Sequence, residues 1–292
     1  MILGDLLQQC YNVADTLIVG RFLGADALAA VGSAFSLMTF LTSILLGLSM
    51  GSGVVFSIRY GQGDIQGLKE RIYASFLLLA GVTVVLNILV FAGTDWIIWF
   101  MKVPDEIQGY MKDYLVVIFA GLAGIFLYNY FASLLRALGN SKVPLLFLAV
   151  SAILNIFLDL WFVLGLKRGV AGAAEATVIS QYVSGIGIAV YAFLKFPLIR
   201  PQGEKIRIRL SCMKEIISFS ALTCIQQSVM NLGILMVQGR VNSFGPAVMA
   251  AFAAAVKIDA FAYMPVQDFG NAVSTFIAQN YGAGQEERIR KR

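Results

Sequence analysis

The chain has 292 residues, of which 59% are apolar and only 13% are charged. Soluble domains carry about 45–50% apolar and roughly 25% charged residues, so this composition excludes a water-soluble globule and predicts a membrane protein. The absence of histidine excludes His-dependent triads and His-ligated zinc or haem. Cys10, Cys212 and Cys224 have no metal-ligand spacing, so neither metal–thiolate chemistry nor a cofactor is expected. We interpret the net charge of +5 as a topology signal rather than as a nucleic-acid surface.

Long apolar runs recur along the whole chain. A membrane-spanning helix needs about 20 mostly apolar residues, and each run is predicted to form one span of an all-α polytopic membrane protein. The first run is already apolar at Met1 and has no basic leader, so we expect a shortened first span and no cleaved signal peptide. The predicted spans are residues 2–20, 27–58, 72–94, 114–135, 143–166, 170–194, 216–239 and 241–280.

The basic residues between the spans predict the orientation of the chain. Cytoplasmic loops of membrane proteins are enriched in Lys and Arg. Most of these residues lie in alternate connections and in the tail, within residues 59–71, 136–142, 195–214 and 288–292. The N-terminus and the C-terminal tail are therefore predicted to face the cytoplasm, with the lipid of the cytoplasmic membrane around the spans.

Part of the chain repeats itself. A single shift places Gly24 on Gly245, Ala34 on Ala255, Phe40 on Phe261, and Tyr60, Gly61 and Gly63 on Tyr281, Gly282 and Gly284. Spans one and two thus recur as spans seven and eight, and an even number of spans separates the copies, so both halves should cross the membrane in the same direction. We expect a six-helix N-terminal lobe at residues 1–195, a basic cytoplasmic linker at 196–213, and the start of a parallel C-terminal lobe at 214–292. By the logic of the repeat, this second lobe lacks four helices.

One helix face of the first span is polar. Ionisable groups within a bilayer cost about 2.5–3.5 kcal/mol each on insertion scales, so those that persist are candidates for function. Asp15 shares its helix face with Gln8 and Tyr11, which surround the carboxylate with hydrogen-bonding groups. The alternative interpretation is that Asp15 reaches the membrane interface and pairs with Arg21.

Two further polar stripes lie in spans five and six. Asn155 and Asp159 are one helical turn apart and share a face. Ala173, Thr177 and Gln181 follow the same spacing in the next span. The pair in span five could instead form a structural hydrogen bond between helices, worth about 0.6 kcal/mol on average in membranes.

Several of these segments resemble the multidrug and toxic compound extrusion (MATE) family of transporters. The segments that carry the resemblance are QQCYNVADTLIVGRFLG at 8–24, LRALGNSKVP at 135–144, NIFLD at 155–159, GVAGAAEATVISQ at 169–181 and MPVQDFGNAVSTFIAQNYGAG at 264–284. The resemblance covers essentially the whole chain. It implies helices one to eight of a twelve-helix, two-lobe transporter that surrounds a central cavity.

The resemblance also implies a proton or cation site in the first lobe. Its members would be Asp15, Asn155, Asp159 and Thr177, with a backbone carbonyl near Ala173. Gln8 and Tyr11 are expected to support this site, and Na⁺ is a possible coupling ion. No other cofactor or metal is expected.

Aromatic and methionine side chains adapt to varied apolar cations and could line a substrate cavity. The residues considered for that cavity are Tyr128, Lys257, Asp259, Tyr263, Met264 and Asp268. Lys257 and Asp268 share a helix face and could instead neutralise each other. Glu175 faces away from Thr177, and we interpret it as a partner for Lys167 or Arg168.

Together these features predict an antiporter coupled to H⁺ or Na⁺ that exports organic cationic or amphipathic compounds. No nucleophile–base or metal-ligand set is present, so an enzyme is not expected, and the full-length protein is expected to be a monomer. Two alternatives stay open. A lipid-linked saccharide flippase of related fold would need several basic residues in the cavity, where only Lys257 qualifies. A truncated fragment that does not transport is the other.

Overall fold

In a computed structural model, residues 2–199 and 210–290 are described, without the side chains of 2–5, 198, 257, 260, 261, 263–265 and 268. This part of the chain is helical and contains no strand. The helices are α1 (Ile2–Phe22), α2 (Ala25–Gly61), α3 (Ile65–Ala92), α4 (Thr94–Phe100), α5 (Asp105–Phe119), α6 (Leu122–Ala137), α7 (Lys142–Asp159), α8 (Gly169–Lys195), α9 (Leu210–Asn242), α10 (Pro246–Gly282) and α11 (Glu286–Arg290). A π-helical segment, Leu160–Gly165, continues α7.

Five helical segments in the described ranges are long and apolar enough to cross a membrane, namely α2, α3, α7 with its π-helical extension, α8 and α9. A sixth is formed if α5 and α6 count as one span. The chain is therefore a multi-pass all-α membrane protein, as the composition predicts. The helices α1 and α10 occupy the positions of the first and last predicted spans.

Three predicted spans need correction. Residues 114–135 do not form one helix, because the chain bends by 45° between α5 and α6 at Ala120–Gly121. Residues 143–166 change from α-helix to π-helix after Asp159. The predicted span 241–280 begins in the end of α9, and its own helix starts at Pro246, which suits the first helical turn because proline has no N–H to leave unpaired.

The repeat is visible in the backbone. The glycine that precedes α2, Gly24, has φ = 93°, and its repeat partner before α10, Gly245, has φ = 92°. Gly63 and Gly284 follow the same two helices with φ = 71° and 67°. Positive φ is accessible to glycine at little cost, so each copy of the repeat begins and ends with the same turn geometry.

The two copies of the repeat pack against each other along α2 and α9, which run antiparallel. Small residues allow the close approach that membrane helices need. A Cβ atom added to Gly47 would lie 2.5 Å from the Cα of Cys224, and one added to Gly51 would collide with the backbone of Ser220. The Ser220 hydroxyl also donates to the carbonyl oxygen of Leu48 at 3.2 Å. The two backbones therefore touch directly at the centre of this seam.

Candidate functional site

The first helix carries its carboxylate into the interior of the bundle. Asp15 is 8% exposed, so it does not extend to the interface to pair with Arg21. The Arg21 guanidinium instead lies over the ring of Phe22, 5.8 Å from its centroid. Helix α1 packs against α7, and Asp15 lies close enough to Asp159 on α7 for the two charges to interact.

The second carboxylate lies at the end of α7, where the π-helical segment begins. Asp159 is fully buried and Asn155, one turn earlier, is 1% exposed. Within the described residues, neither carboxylate oxygen of Asp159 has a hydrogen-bond partner, and the Oδ1 atom of Asn155 has none either. Buried polar atoms are normally paired, because desolvation without a partner is costly. Asp159 therefore presents acceptor oxygens that can take a proton or a cation.

Asp15 and Asp159 are close enough to interact electrostatically. Three tyrosines belong to the same environment: Tyr11 interacts with both carboxylates and with Tyr128, and Tyr114 interacts with both carboxylates and with Tyr11. Tyr114 lies on α5 and is 6% exposed. Nothing in the sequence distinguishes Tyr114, since a tyrosine in an apolar run resembles a packing residue.

Helix α8 completes this site. The Nδ2 atom of Asn155 donates a hydrogen bond to the Oγ1 atom of Thr177 at 3.3 Å. Ala173, one turn before Thr177, is fully buried. Gln181, the third member of that stripe, does not join the carboxylates. Its Oε1 atom lies against Gly121, at the bend between α5 and α6.

Of the two adjacent glutamines of α1, the structure buries the second. Gln8, which shares a face with Tyr11 and Asp15, is half-buried, whereas Gln9 is 2% exposed. The helical spacing alone indicates Gln8. The rotation of α1 about its axis decides whether Gln8 or Gln9 is buried. The spacing of polar residues does not determine that rotation.

Of the residues proposed for a substrate cavity, only Tyr128 and Asp259 have described side chains. Tyr128 lies beside Tyr11, and its hydroxyl donates to the carbonyl oxygen of Pro144 at 3.2 Å. Asp259 is exposed on α10. The side chains of Lys257, Tyr263, Met264 and Asp268 fall outside the described residues. The cavity assignment therefore stays a prediction.

Glu175 has the structural role that the sequence predicts. Its carboxylate forms an ion pair with the guanidinium of Arg168 at 2.8 Å. The pair lies at the start of α8, two residues from Thr177 but on another face of the helix. Glu175 is therefore a natural control for experiments on the buried carboxylates.

The atoms of this cluster that could bind a ligand are hard oxygens. They are the carboxylate oxygens of Asp15 and Asp159, the amide oxygen of Asn155 and the hydroxyl oxygen of Thr177. Such oxygens suit protons and hard cations rather than soft metals. Two neighbouring buried carboxylates cannot both carry an uncompensated charge at low cost. A bound proton or cation would compensate part of this charge.

The fold and this site define a class: a multi-pass helical membrane protein in which the turns around α2 recur around α10, with a buried acidic cluster between α1 and α7. The MatE family model matches residues 1–161 and 220–292 of the chain. The chain belongs to this family, the multidrug and toxic compound extrusion transporters that the sequence resembles.

Several known proteins are similar to this chain in sequence or in structure. The chain is 29% identical to the "Probable multidrug resistance protein YpnP" of Bacillus subtilis, over 99% of its own length and 64% of the relative's. It is 30% identical to the B. subtilis protein YoeA, over 100% and 64% of the two lengths. A solved structure of the MATE multidrug transporter DinF-BH superposes with a TM-score of 0.90 at 28% identity, covering 99% of this chain and 65% of that one. These relatives are transporters and not enzymes, and the chain spans 64% of the length of the two B. subtilis proteins.

Proposed function

We propose that the protein works as a cation-coupled antiporter that exports organic, drug-like compounds across the cytoplasmic membrane. The observation that carries this proposal is Asp159, a fully buried carboxylate with two unpartnered oxygens next to a second carboxylate, Asp15. A structural carboxylate in this position would be hydrogen-bonded or ion-paired. A carboxylate that gains and loses a proton or cation during a cycle has to leave its oxygens available.

Ion binding can be coupled to transport because the bound ion changes which arrangement of the helices is more stable. When the cluster of Asp15, Asn155, Asp159 and Thr177 holds a proton or Na⁺, its negative charge is compensated and the three helices can stay together. When the cluster is empty, repulsion between the carboxylates favours a different arrangement of α1 against α7 and α8. A ligand shifts a conformational equilibrium only through such a difference in affinity. Protons and Na⁺ compete for the same oxygens, so either gradient can drive export.

The names of the relatives support the substrate class. YpnP and YoeA are called probable multidrug resistance proteins, and DinF-BH is called a multidrug transporter. We expect organic cationic or amphipathic compounds as substrates, a monomer in the membrane, and both termini in the cytoplasm. The lipid bilayer is the other partner that the apolar surface requires.

The test is the replacement Asp159→Asn, which keeps the size of the side chain and removes its charge. The protein should insert normally and lose most of its gradient-driven export, measured as the efflux of a fluorescent organic cation from energised cells. Glu175→Gln makes the same chemical change in a carboxylate that is already ion-paired, and export should stay close to the unmodified level. Normal export by Asp159→Asn at normal expression would refute the proposal. Equal loss in both variants would point to a folding defect.

A further inference from the structure

The membrane span formed by α5 and α6 is broken near its middle. The two helices meet at a 45° bend, and Gly121, which lies at the bend, is the central residue of the range 105–137. The N–H group of Gly121 donates to the carbonyl oxygen of Ile118 at 2.9 Å. A carbonyl oxygen has two lone pairs, so this hydrogen bond leaves it able to bind a further partner. Irregular backbone at such a depth in a membrane protein occurs where it is buried in protein or lines a cavity.

The side chain of Gln181 reaches this break from α8. A Cβ atom added to Gly121 would collide with the Oε1 atom of Gln181 and would lie 3.0 Å from the carbonyl oxygen of Ile118, so both oxygens lie beside the same residue. The Oε1 atom is buried and has no hydrogen-bond partner among the described residues. Gln181 also lies near the middle of its own helix, Gly169–Lys195. A buried acceptor without a partner is costly, so the oxygen calls for a ligand.

Close packing of α6 against α8 holds this amide at the break. A Cβ atom on Gly124 would lie 3.1 Å from the carbonyl carbon of Gln181, and one on Gly185 would lie 2.6 Å from the carbonyl oxygen of Gly124. The hydroxyl of Tyr182 donates to the carbonyl oxygen of Ala120 at 2.8 Å. The backbone around Gln181 is therefore fixed against both sides of the bend.

The chemistry of the break favours a cation. The carbonyl end of a helix carries a partial negative charge, and α5 ends here. Secondary transporters bind coupling ions near the middle of the membrane, where broken helices present carbonyl oxygens. Amide and carbonyl oxygens accept hydrogen bonds and carry no titratable proton. The ligand that fits them is a hard metal cation of the Na⁺ type rather than a proton.

We propose that the Oε1 atom of Gln181 and the carbonyl oxygens at the end of α5 form a second binding position for Na⁺. The proposal rests on the proposed function, in which the acidic cluster binds the coupling ion. Thr177 precedes Gln181 by one turn on the same face of α8, and Tyr114 precedes Ile118 by one turn on α5. The second position therefore lies about 6 Å further along both helices from the acidic cluster. It offers the ion its next oxygen ligands at the middle of the bundle.

The second position can be tested by the effect of Na⁺ on stability. A cation that binds the folded protein raises its unfolding temperature by mass action. Unfolding would be measured in detergent, in NaCl and in choline chloride of the same ionic strength. Asp159→Asn should keep part of the rise caused by Na⁺, and the double variant Asp159→Asn/Gln181→Leu should lose it. Gln226→Leu, at an exposed position of α9, should cause no such loss when added to Asp159→Asn.

A second variant keeps the test valid if Gln181→Leu does not fold. Gln181→Glu keeps the size of the side chain and adds a negative charge, so it should lower the Na⁺ concentration that gives half the rise about tenfold, which corresponds to about 1.4 kcal/mol of binding. Three results would overturn the proposal. Asp159→Asn alone could abolish the whole rise, Gln181→Glu could leave the Na⁺ dependence unchanged, or Gln181→Leu could lower the unfolding temperature equally in both salts. The last result would make Gln181 a structural residue, with its Nε2 atom donating to Ile118.

Export measured on the same proteins separates this proposal from the proposed function. If the unmodified protein exports a fluorescent organic cation but Gln181→Leu does not change the Na⁺-dependent rise left in Asp159→Asn, the second position fails and the transport function stands. If the unmodified protein does not export, the proposed function fails. The unfolding temperatures then still decide whether Na⁺ binds at the break.

Discussion

The hydroxyl of Ser36 on α2 donates a hydrogen bond to the Oε1 atom of Gln238 on α9 at 3.0 Å, across the seam between the two halves of the chain. The Nε2 atom of Gln238 donates in turn to Ser33 at 3.1 Å and to the Oδ1 atom of Asn242 at 2.8 Å. Asn242 donates to the carbonyl oxygen of Met101 at 2.8 Å. These polar side chains are at most 3% exposed, and the network satisfies them mutually.

Removal of Gln238 should therefore destabilise the protein. In Gln238→Leu, the buried hydroxyl of Ser36 loses its partner on α9, at a cost of about 1–3 kcal/mol, while the Oδ1 atom of Asn242 keeps only its hydrogen bond from Ser33. We expect a lower thermal unfolding temperature in detergent. Gln226→Leu, the same change at an exposed position of the same helix, should have little effect. If both variants unfold at the same temperature, the network does not contribute to stability.

The glycines at the centre of the seam allow a second prediction. Gly51→Ala places a methyl group against the backbone of Ser220, so α9 has to move outward, and overpacking of this kind typically costs about 1–3 kcal/mol. Gly81→Ala on α3 has open space around the new methyl group and gains helix propensity of about 1 kcal/mol. Thermal unfolding should thus shift in opposite directions in the two variants. A stable Gly51→Ala protein would show that the helices separate at no cost.

Much of this fold can be predicted from the sequence because the bilayer restricts the possibilities. Each membrane span has to satisfy its own backbone, so long apolar runs become helices. The bend at Ala120–Gly121 was not predictable, since a glycine in an apolar run also suits close packing. At the bend, Gln181 of α8 packs against Gly121, a tertiary contact that the local sequence does not reveal. The π-helical segment after Asp159 likewise leaves no trace in the hydropathy pattern.

The carboxylates of the site were predictable for a different reason. Asp15 and Asp159 are charged residues in apolar surroundings, and their cost in a membrane makes them conspicuous. Tyr114 has no such signal, because aromatic residues are common in membrane helices and only the packing of α5 places it beside the carboxylates. The linker, residues 196–213, lies largely outside the described residues, so the division into lobes stays a prediction.

The predicted orientation can be tested at that linker. If residues 196–213 face the cytoplasm, single cysteines introduced there should resist a membrane-impermeant thiol reagent on intact cells and react in inverted vesicles. A cysteine at Lys112, in a connection predicted to lie on the opposite side and 53% exposed, should show the reverse pattern. Labelling of the linker from outside intact cells would show that the chain has the opposite orientation.

Thr177 should distinguish the two coupling ions. A proton needs only a carboxylate oxygen, whereas Na⁺ needs several oxygens around it, and the hydroxyl of Thr177 is one of the neutral oxygens in the cluster. Thr177→Val keeps the shape of the side chain and removes that oxygen. We expect export driven by a Na⁺ gradient to fall about tenfold, the effect of losing about 1.4 kcal/mol of binding, and export driven by a pH gradient to persist.

The control for this experiment is Thr83→Val. Thr83 is buried, and its hydroxyl donates to the carbonyl oxygen of Leu79 in its own helix at 2.7 Å. This variant should leave both forms of export unchanged. Vesicles that contain each variant would be loaded with a fluorescent organic cation and given one gradient at a time. Equal loss under both gradients in Thr177→Val would mean that the hydroxyl positions Asn155 rather than the ion. Absence of Na⁺-driven export in the unmodified protein would leave the proton as the coupling ion, because the carboxylates alone can carry it.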